Sequence, residues 1–146
     1  KLREMGIKIG STTGYTDKMM EIVTKKAEEN GYKPDAWFSP DSVGSKGRPY
    51  PYMIFKNMET LGVTKVQNVM KVGDTVSDIL EGKNAGVISV GILEGSSEMA
   101  LTEEEYAALS DKEREERSAR VMKRYQEAGY VIRNMSELVE FVNKIS

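Results

Sequence analysis

Short apolar runs alternate with apolar stripes at helical spacing along most of this chain. Ile7-Lys8-Ile9-Gly10-Ser11-Thr12 reads as a strand. Met19, Met20, Ile22, Val23 and Ala27 then recur at helical spacing from Thr16 to Asn30, and Gly31 stops them. Ala36-Trp37-Phe38 predicts a second short strand, followed by a loop rich in Pro, Ser and Gly from Ser39 to Gly47. Pro49 or Pro51 opens the next helix, with Met53, Ile54, Phe55, Met58 and Leu61 apolar and Gly62 ending it. Val69-Met70-Lys71-Val72 predicts a strand, Thr75 onward a helix carrying Ile79, Leu80 and Ala85, and Val87-Ile88-Ser89-Val90 a further strand. Strand–helix alternation of this kind predicts an α/β fold with a parallel sheet.

The pattern weakens after Leu93-Glu94-Gly95-Ser96-Ser97-Glu98, which reads as a loop. Thr102 to Gly129 is charged and helical, with Glu113/Arg117 and Glu116/Arg120 at ion-pair spacing and Leu109, Val121, Met122 and Tyr125 to hold it down. Tyr130-Val131-Ile132 predicts a last strand. Ser136, Glu137, Leu138, Phe141 and Val142 begin a closing helix. At the other end, Lys1 to Gly6 has the form of the last turn of a helix and its glycine cap, which reads as the continuation of a longer chain.

Composition narrows the chemistry. The 146 residues are 39% apolar and 30% charged, as in a single globular domain. A net charge of −2 gives no electrostatic reason to expect nucleic acid or an anionic membrane as partner. No apolar run is long enough to span a bilayer. Cys and His are both absent, so thiolate and histidine-dependent catalysis are excluded. Carboxylates, hydroxyls, Lys, Arg, backbone amides and a hard metal ion remain, and the lack of cysteine fits a cytoplasmic enzyme.

Three segments lie where such groups would act together. In Val72-Gly73-Asp74-Thr75-Val76-Ser77-Asp78, two carboxylates sit four residues apart where a strand turns into a helix. Ligands of open α/β sheets bind at the carboxyl ends of strands, and two carboxylates there suit Mg²⁺ with water and a substrate phosphate. Helix capping by Asp74, with Asp78 favoured by the helix dipole, is the other reading, and this segment alone does not choose. Ser11-Thr12-Thr13-Gly14-Tyr15-Thr16 offers hydroxyls and flexible backbone at a helix start, where anions bind, although Thr16 is as well explained as a cap. Lys46-Gly47-Arg48-Pro49-Tyr50-Pro51 places cations before a helix; Lys46 reads as an exposed loop residue, whereas Arg48 can grip an anion with its planar fork. Hydroxyls, a cation and paired carboxylates at successive strand ends form a metal-assisted phosphoryl site that lacks a nucleophile.

This order of segments resembles the haloacid dehalogenase superfamily. Thr13 matches its second-motif hydroxyl with Gly14 beside it, Arg48 its third-motif cation, and Asp74 and Asp78 its fourth-motif carboxylates. Most members carry Lys where this chain has Arg48. The wording from Gly10 to Thr16, Pro40-Asp41-Ser42-Val43, Gly47 to Pro51, Val72 to Asp78 and Leu93 to Glu105 is similar to the phosphonate-cleaving branch. Ser42 stands where that branch usually has a second Asp, and the loop from Gly44 to Lys46 is one residue longer.

The resemblance implies a Rossmann-like core lacking its first strand and helical cap, with residues 1–146 as the later part of that core. The absent strand is central in the family sheet, so its loss would separate the strand near Ile9 from that near Val72, and these residues would fold stably only with the other half. It further implies cleavage of the P–C bond of phosphonoacetaldehyde to acetaldehyde and phosphate, with nucleophile and imine-forming lysine outside this sequence. Asp74 would bind Mg²⁺, Asp78 would bind or orient it through water, and Thr13, Gly14 and Arg48 would hold the phosphonyl oxygens. A small-molecule phosphonate and a second copy of the enzyme are the implied partners. A phosphatase or phosphomutase of the same superfamily, or a non-catalytic phosphate-binding module, are the alternatives.

Overall fold

Threonine caps and glycine stops divide the chain close to where the pattern places them. The computed structural model describes residues 1–126 and 128–146. Thr16 accepts from the Met19 amide at 3.3 Å and opens α1 (Asp17–Glu29). Thr75 accepts from the Asp78 amide at 3.2 Å and opens α3 (Val76–Ala85). Between them, α2 (Tyr52–Leu61) follows Pro51 and ends on Gly62 in the left-handed conformation. The strands are β1 (Gly10–Thr12), β2 (Ala36–Phe38), β3 (Met70–Gly73), β4 (Ile88–Ile92) and β5 (Tyr130–Ile132). Every ladder is parallel, as expected of an α/β fold.

The strands form two sheets. One joins β1 and β2; the other runs β3-β4-β5. The strand near Ile9 and the strand near Val72 therefore lie in different sheets. In the larger sheet, Val90 and Ile92 pack with Met70, Val72, Ile132 and Leu138, the last at the start of α6 (Leu138–Ile145). The opposite face packs Ile79 of α3, Leu93 and Met99 against Val121 of α5 (Asp111–Arg124) and the adjoining Tyr125. α2 lies against β1, β2 and α3, and buries Met53, Ile54 and Asn57. Side chains of the α2–α3 layer thus reach the open edges of both sheets.

Several elements differ from the pattern, for local reasons. The first strand begins at Gly10, not Ile7, because Ile9 and Asp35 satisfy one another instead: the Ile9 amide donates to Asp35 Oδ2 and the Asp35 amide to the Ile9 carbonyl, both at 2.7 Å. The first residues form a 3-10 turn (Arg3–Met5) stopped by Gly6 in the left-handed conformation. The charged region divides into α4 (Glu103–Ala107) and α5, each opened by a reciprocal capping box, Thr102 with Glu105 and Ser110 with Glu113. Glu113 is therefore engaged at the cap, accepting from the Ser110 amide at 2.8 Å. Glu127, inside the predicted helical stretch, lies outside the described residues. Met122 is exposed, whereas Val121 and Tyr125 are buried as the pattern requires. The apolar stripe of α1 also stays largely in solvent, with Met20 buried but Met19, Ile22 and Val23 exposed.

Tyr125 fixes the loop after β4. Its hydroxyl donates to the Ile92 carbonyl at 3.0 Å and lies 2.8 Å from Ser96 Oγ. Burial pushes its phenol up to about 12. Tyr125→Phe keeps the ring and strands these partners, so equilibrium unfolding should show a loss of about 1–3 kcal/mol. A change indistinguishable from zero would mean that the hydroxyl does not hold the loop.

Candidate active site

The turn from β3 into α3 folds Asp78 back against the strand end. A Cβ on Gly73 would lie 2.1 Å from the Asp78 Cβ, so this approach requires glycine. Thr75 grips Asp78 twice, accepting its amide and donating to Oδ2 at 2.8 Å. The Asp78 side chain is 5% exposed, and an unpaired carboxylate so placed would be costly. Two cations meet it. Arg48 Nη1 donates to Asp78 Oδ1 at 2.5 Å, and Lys71 Nζ stands 3.1 Å from the same oxygen.

Each cation also reaches β1 or the loop that follows it. Arg48 Nη2 lies 3.1 Å from the position a Cβ would occupy on Gly14, so the absent side chain admits the guanidinium to the turn after β1. Lys71 Nζ donates to Thr12 Oγ1 at 2.7 Å and sits 3.1 Å from Glu81 Oε2. Thr12 in turn donates to Glu81 Oε2 at 3.0 Å. Burial acts to raise the Asp78 carboxyl, but Lys71, Arg48 and the Thr75 hydroxyl outweigh it and hold the group below its usual 3.8. At Glu81 burial prevails over Lys71 and raises the carboxyl above its usual 4.5. Glu81 Oε1 is buried without a hydrogen-bond partner.

Asp74 has different company. Thr75, not Asp74, caps α3, which removes the capping explanation for Asp74. Ser97 donates to Asp74 Oδ2 through its hydroxyl at 2.9 Å and its amide at 3.3 Å. Ser96 Oγ donates to the Asp74 carbonyl at 2.6 Å. Glu98 accepts from the Val76 amide at 2.8 Å and pairs with Arg124 at 2.8 Å, fastening the loop to the start of α3.

Thr13 sits just beyond β1, its hydroxyl accepting from the Tyr15 amide at 3.1 Å and its amide donating to the Phe38 carbonyl at 3.3 Å. Gly14, Arg48 and Asp78 are in direct proximity, with Thr13 next to Gly14 in sequence. Lys46 is exposed and lies 6.0 Å from the centre of the Tyr52 ring, as its loop reading expects. Among the described residues no group of three or more acidic, His or Cys side chains gathers as a metal cage. An all-oxygen site with few protein ligands still fits Mg²⁺, which keeps most of its waters. Asp78, with both oxygens hydrogen-bonded, fits contact through water better than direct ligation.

Lys71 and Glu81 are the members that sequence reasoning missed, and Thr12, part of the hydroxyl segment, bonds to them. Lys71 was read only as part of the apolar strand Val69–Val72, and Glu81 was not singled out. The available signal was joint: Glu81 stands one turn after Asp78 and immediately before Gly82, whose absent Cβ would lie 3.0 Å from the Lys71 Cβ. That glycine marks the helix face pressed onto the strand.

Comparison with known proteins identifies the family. The family model for haloacid dehalogenase-like hydrolases matches residues 1–86, and a HAD-hydrolase-like model matches residues 45–128. This chain belongs to the haloacid dehalogenase-like hydrolases. It is 51% identical over 148 residues to a phosphonoacetaldehyde hydrolase of Lysinibacillus sphaericus (strain C3-41), covering 100% of this chain and 55% of that protein. It is 49% identical over 147 residues to a bifunctional phosphonoacetaldehyde hydrolase/aminoethylphosphonate transaminase of Clostridioides difficile (strain 630), covering 99% of this chain and 23% of the other. The crystal structure of a phosphonoacetaldehyde hydrolase like protein from Oleispira antarctica matches with a TM-score of 0.93 at 34% identity, over 99% of this chain and 52% of that one. The chain thus spans about half the length of the phosphonoacetaldehyde hydrolase and the crystal structure it matches.

The two buried carboxylates give opposite pH signatures. Asp78, held below 3.8, contributes stability above that value and loses it as pH falls through its folded value. Glu81, raised above 4.5, costs stability as pH rises from there through its folded value. Denaturation measured against pH should therefore show Asp78→Asn flattening the acid limb and Glu81→Gln flattening the limb above 4.5. At neutral pH Asp78→Asn should cost about 3 kcal/mol, the low end for breaking a buried pair. An unaltered acid limb in Asp78→Asn would contradict the clamp.

Proposed function

We propose that this chain forms the part of a phosphonoacetaldehyde hydrolase that holds the phosphonyl group and Mg²⁺. The observation that carries the reading is the meeting of Gly14, Arg48 and Asp78, which come from separate segments of the sequence. In this reading the residues belong to the later part of the core. A further parallel strand lies between β1 and β3 and brings an aspartate nucleophile, and a cap brings an imine-forming lysine. The open edges of the two sheets support that placement, as do Asn57 Oδ1 and Glu81 Oε1, buried acceptors without partners. The exposed Tyr50, Tyr52 and Phe55 offer apolar surface for a homodimer, and the absence of cysteine is compatible with the cytoplasm.

The overall reaction takes phosphonoacetaldehyde and water to acetaldehyde and phosphate. Arg48 has one guanidinium nitrogen fixed by Asp78 and directs another toward Gly14, where it meets a phosphonyl oxygen. There it balances the negative charge on the transferred group. Thr13 and the amides around Gly14 take the remaining oxygens. Asp74, oriented by Ser97, would hold Mg²⁺, and Asp78 would orient it through water. When bound, the metal supplies positive charge that lets an anionic carboxylate approach phosphorus. Asp78 keeps the guanidinium from rotating away, so the cradle is arranged before substrate enters.

The test uses the full-length gene product. Borohydride added with phosphonoacetaldehyde should trap a covalent adduct on a lysine outside residues 1–146, detected by peptide mass. Asp74→Ala should abolish Mg²⁺-dependent turnover, and Arg48→Lys should lower kcat by about 10²-fold or more through loss of the planar fork. Turnover without a trappable imine would favour an ordinary phosphatase. Near wild-type activity in Asp74→Ala would refute the metal assignment.

A further inference from the structure

Ser97 gives the Asp74 carboxylate an uneven set of partners. Its hydroxyl and its amide both donate to Oδ2, at 2.9 and 3.3 Å. A carboxylate oxygen has two lone pairs to offer, so these bonds occupy Oδ2 and leave Oδ1 for a cation. The loop that carries Ser97 is held from both sides. Ser96, 2% exposed, donates through Oγ to the Asp74 carbonyl at 2.6 Å and accepts from the Glu98 amide at 3.1 Å. The same oxygen lies 2.8 Å from the Tyr125 hydroxyl. Glu98 accepts from the Val76 amide at 2.8 Å and pairs with Arg124 at 2.8 Å. The turn from β3 into α3 and the loop after β4 are thus fixed to one another and to the end of α5. β3 and β4 pair directly, from Met70 with Ile88 to Gly73 with Gly91. The whole arrangement therefore lies on one sheet and owes nothing to the edge facing β1.

We propose that Ser97 is a positioning residue that sets the metal preference of the site by restricting Asp74 to one oxygen. The inference rests on the reading of Asp74 as a Mg²⁺ ligand and deepens it. Mg²⁺ takes a small octahedral shell of single oxygens and waters, whereas Ca²⁺ takes more oxygens and accepts a carboxylate through both. A carboxylate whose Oδ2 is engaged by protein donors serves the first ion and is a poorer partner for the second. Removing the Ser97 hydroxyl frees one lone pair of Oδ2, loosens the orientation of the carboxylate and opens the two-oxygen mode. That change should weaken Mg²⁺ binding and spare Ca²⁺. Ser97 is exposed and belongs to neither apolar cluster, so its replacement should leave the fold intact.

The test uses the metal-free full-length gene product, titrated calorimetrically with MgCl₂ and with CaCl₂. Wild type is compared with Asp74→Ala, Ser97→Ala and Ser97→Thr. Asp74→Ala should lose Mg²⁺ binding. Ser97→Ala should melt like the wild type without metal, yet bind Mg²⁺ about tenfold more weakly, because the amide donor remains and the loss sits at the low end for a group supporting a ligand. Its Ca²⁺ affinity should be unchanged or higher, so the ratio of Mg²⁺ to Ca²⁺ affinity should fall by about tenfold or more. Ser97→Thr keeps the hydroxyl and should restore the ratio. An unchanged ratio in Ser97→Ala would overturn the proposal. So would an equal loss for both ions, which is what general loosening of the loop would give, or a Ser97→Thr that behaves like Ser97→Ala. Should Ser97→Ala not fold, Ser97→Gly decides by the same criteria. The two claims can fail separately. Mg²⁺ binding retained in Asp74→Ala defeats the reading of Asp74 as a ligand, whereas lost binding there beside a wild-type ratio in Ser97→Ala defeats the positioning role alone.

Discussion

Asp78 is a carboxylate withdrawn from water on the first turn of a helix, and its charge is balanced by Arg48 and Lys71. The placement follows from Gly73, whose missing side chain lets the turn close onto the strand end. Burial alone would drive such a group to its neutral form; the two cations reverse that. Breaking a pair of this kind leaves a buried charge behind, which is why the arrangement resists piecemeal change. Asp78 holds one nitrogen of the Arg48 guanidinium while another lies at Gly14.

That constraint also links two sheets that share no ladder. β1 and β2 pair with one another, β3 pairs with β4, and polar side chains connect β1 to β3. Strand ladders fix register along their own sheet but transmit nothing across an open edge. Within this chain the contacts across the gap are made by α2, packed on β1, β2 and α3, and by Thr12, Lys71 and Glu81; the strand proposed between β1 and β3 would complete the sheet. A polar joint is more specific in direction than an apolar one, because each donor needs a particular acceptor. The site residues lie between β1 and β3, while the apolar clusters involve β4 and β5.

Much of this was legible in the sequence. Helix bounds were read from the Thr16 cap and from glycine stops, and Thr16, Gly62 and Gly6 all perform as such, whereas α3 is capped by Thr75 and not by Asp74. The convergence of Gly14, Arg48 and Asp78 followed from strand ends in an α/β order. Ile7 to Ile9 looked like a strand because an apolar period cannot reveal that Asp35 will take the Ile9 amide. The exposure of Met19, Ile22 and Val23 was equally hidden, since a stripe shows a helix's apolar face but not what covers it. Lys71 and Glu81 were missed for a deeper reason. A buried ion pair joins residues ten positions apart on a strand and the following helix, and neither residue is unusual alone.

Relatives about half identical over this whole chain fit the same account, and the chain spans about half the length of one such hydrolase. The role proposed for the cradle is P–C bond cleavage. Product stoichiometry in the full-length gene product tests it most directly, with acetaldehyde and phosphate measured together from phosphonoacetaldehyde in the presence of Mg²⁺. Equal release of both, with no comparable release of phosphate from simple phosphate monoesters, is the predicted result. Phosphate released from monoesters but not from the phosphonate would contradict it.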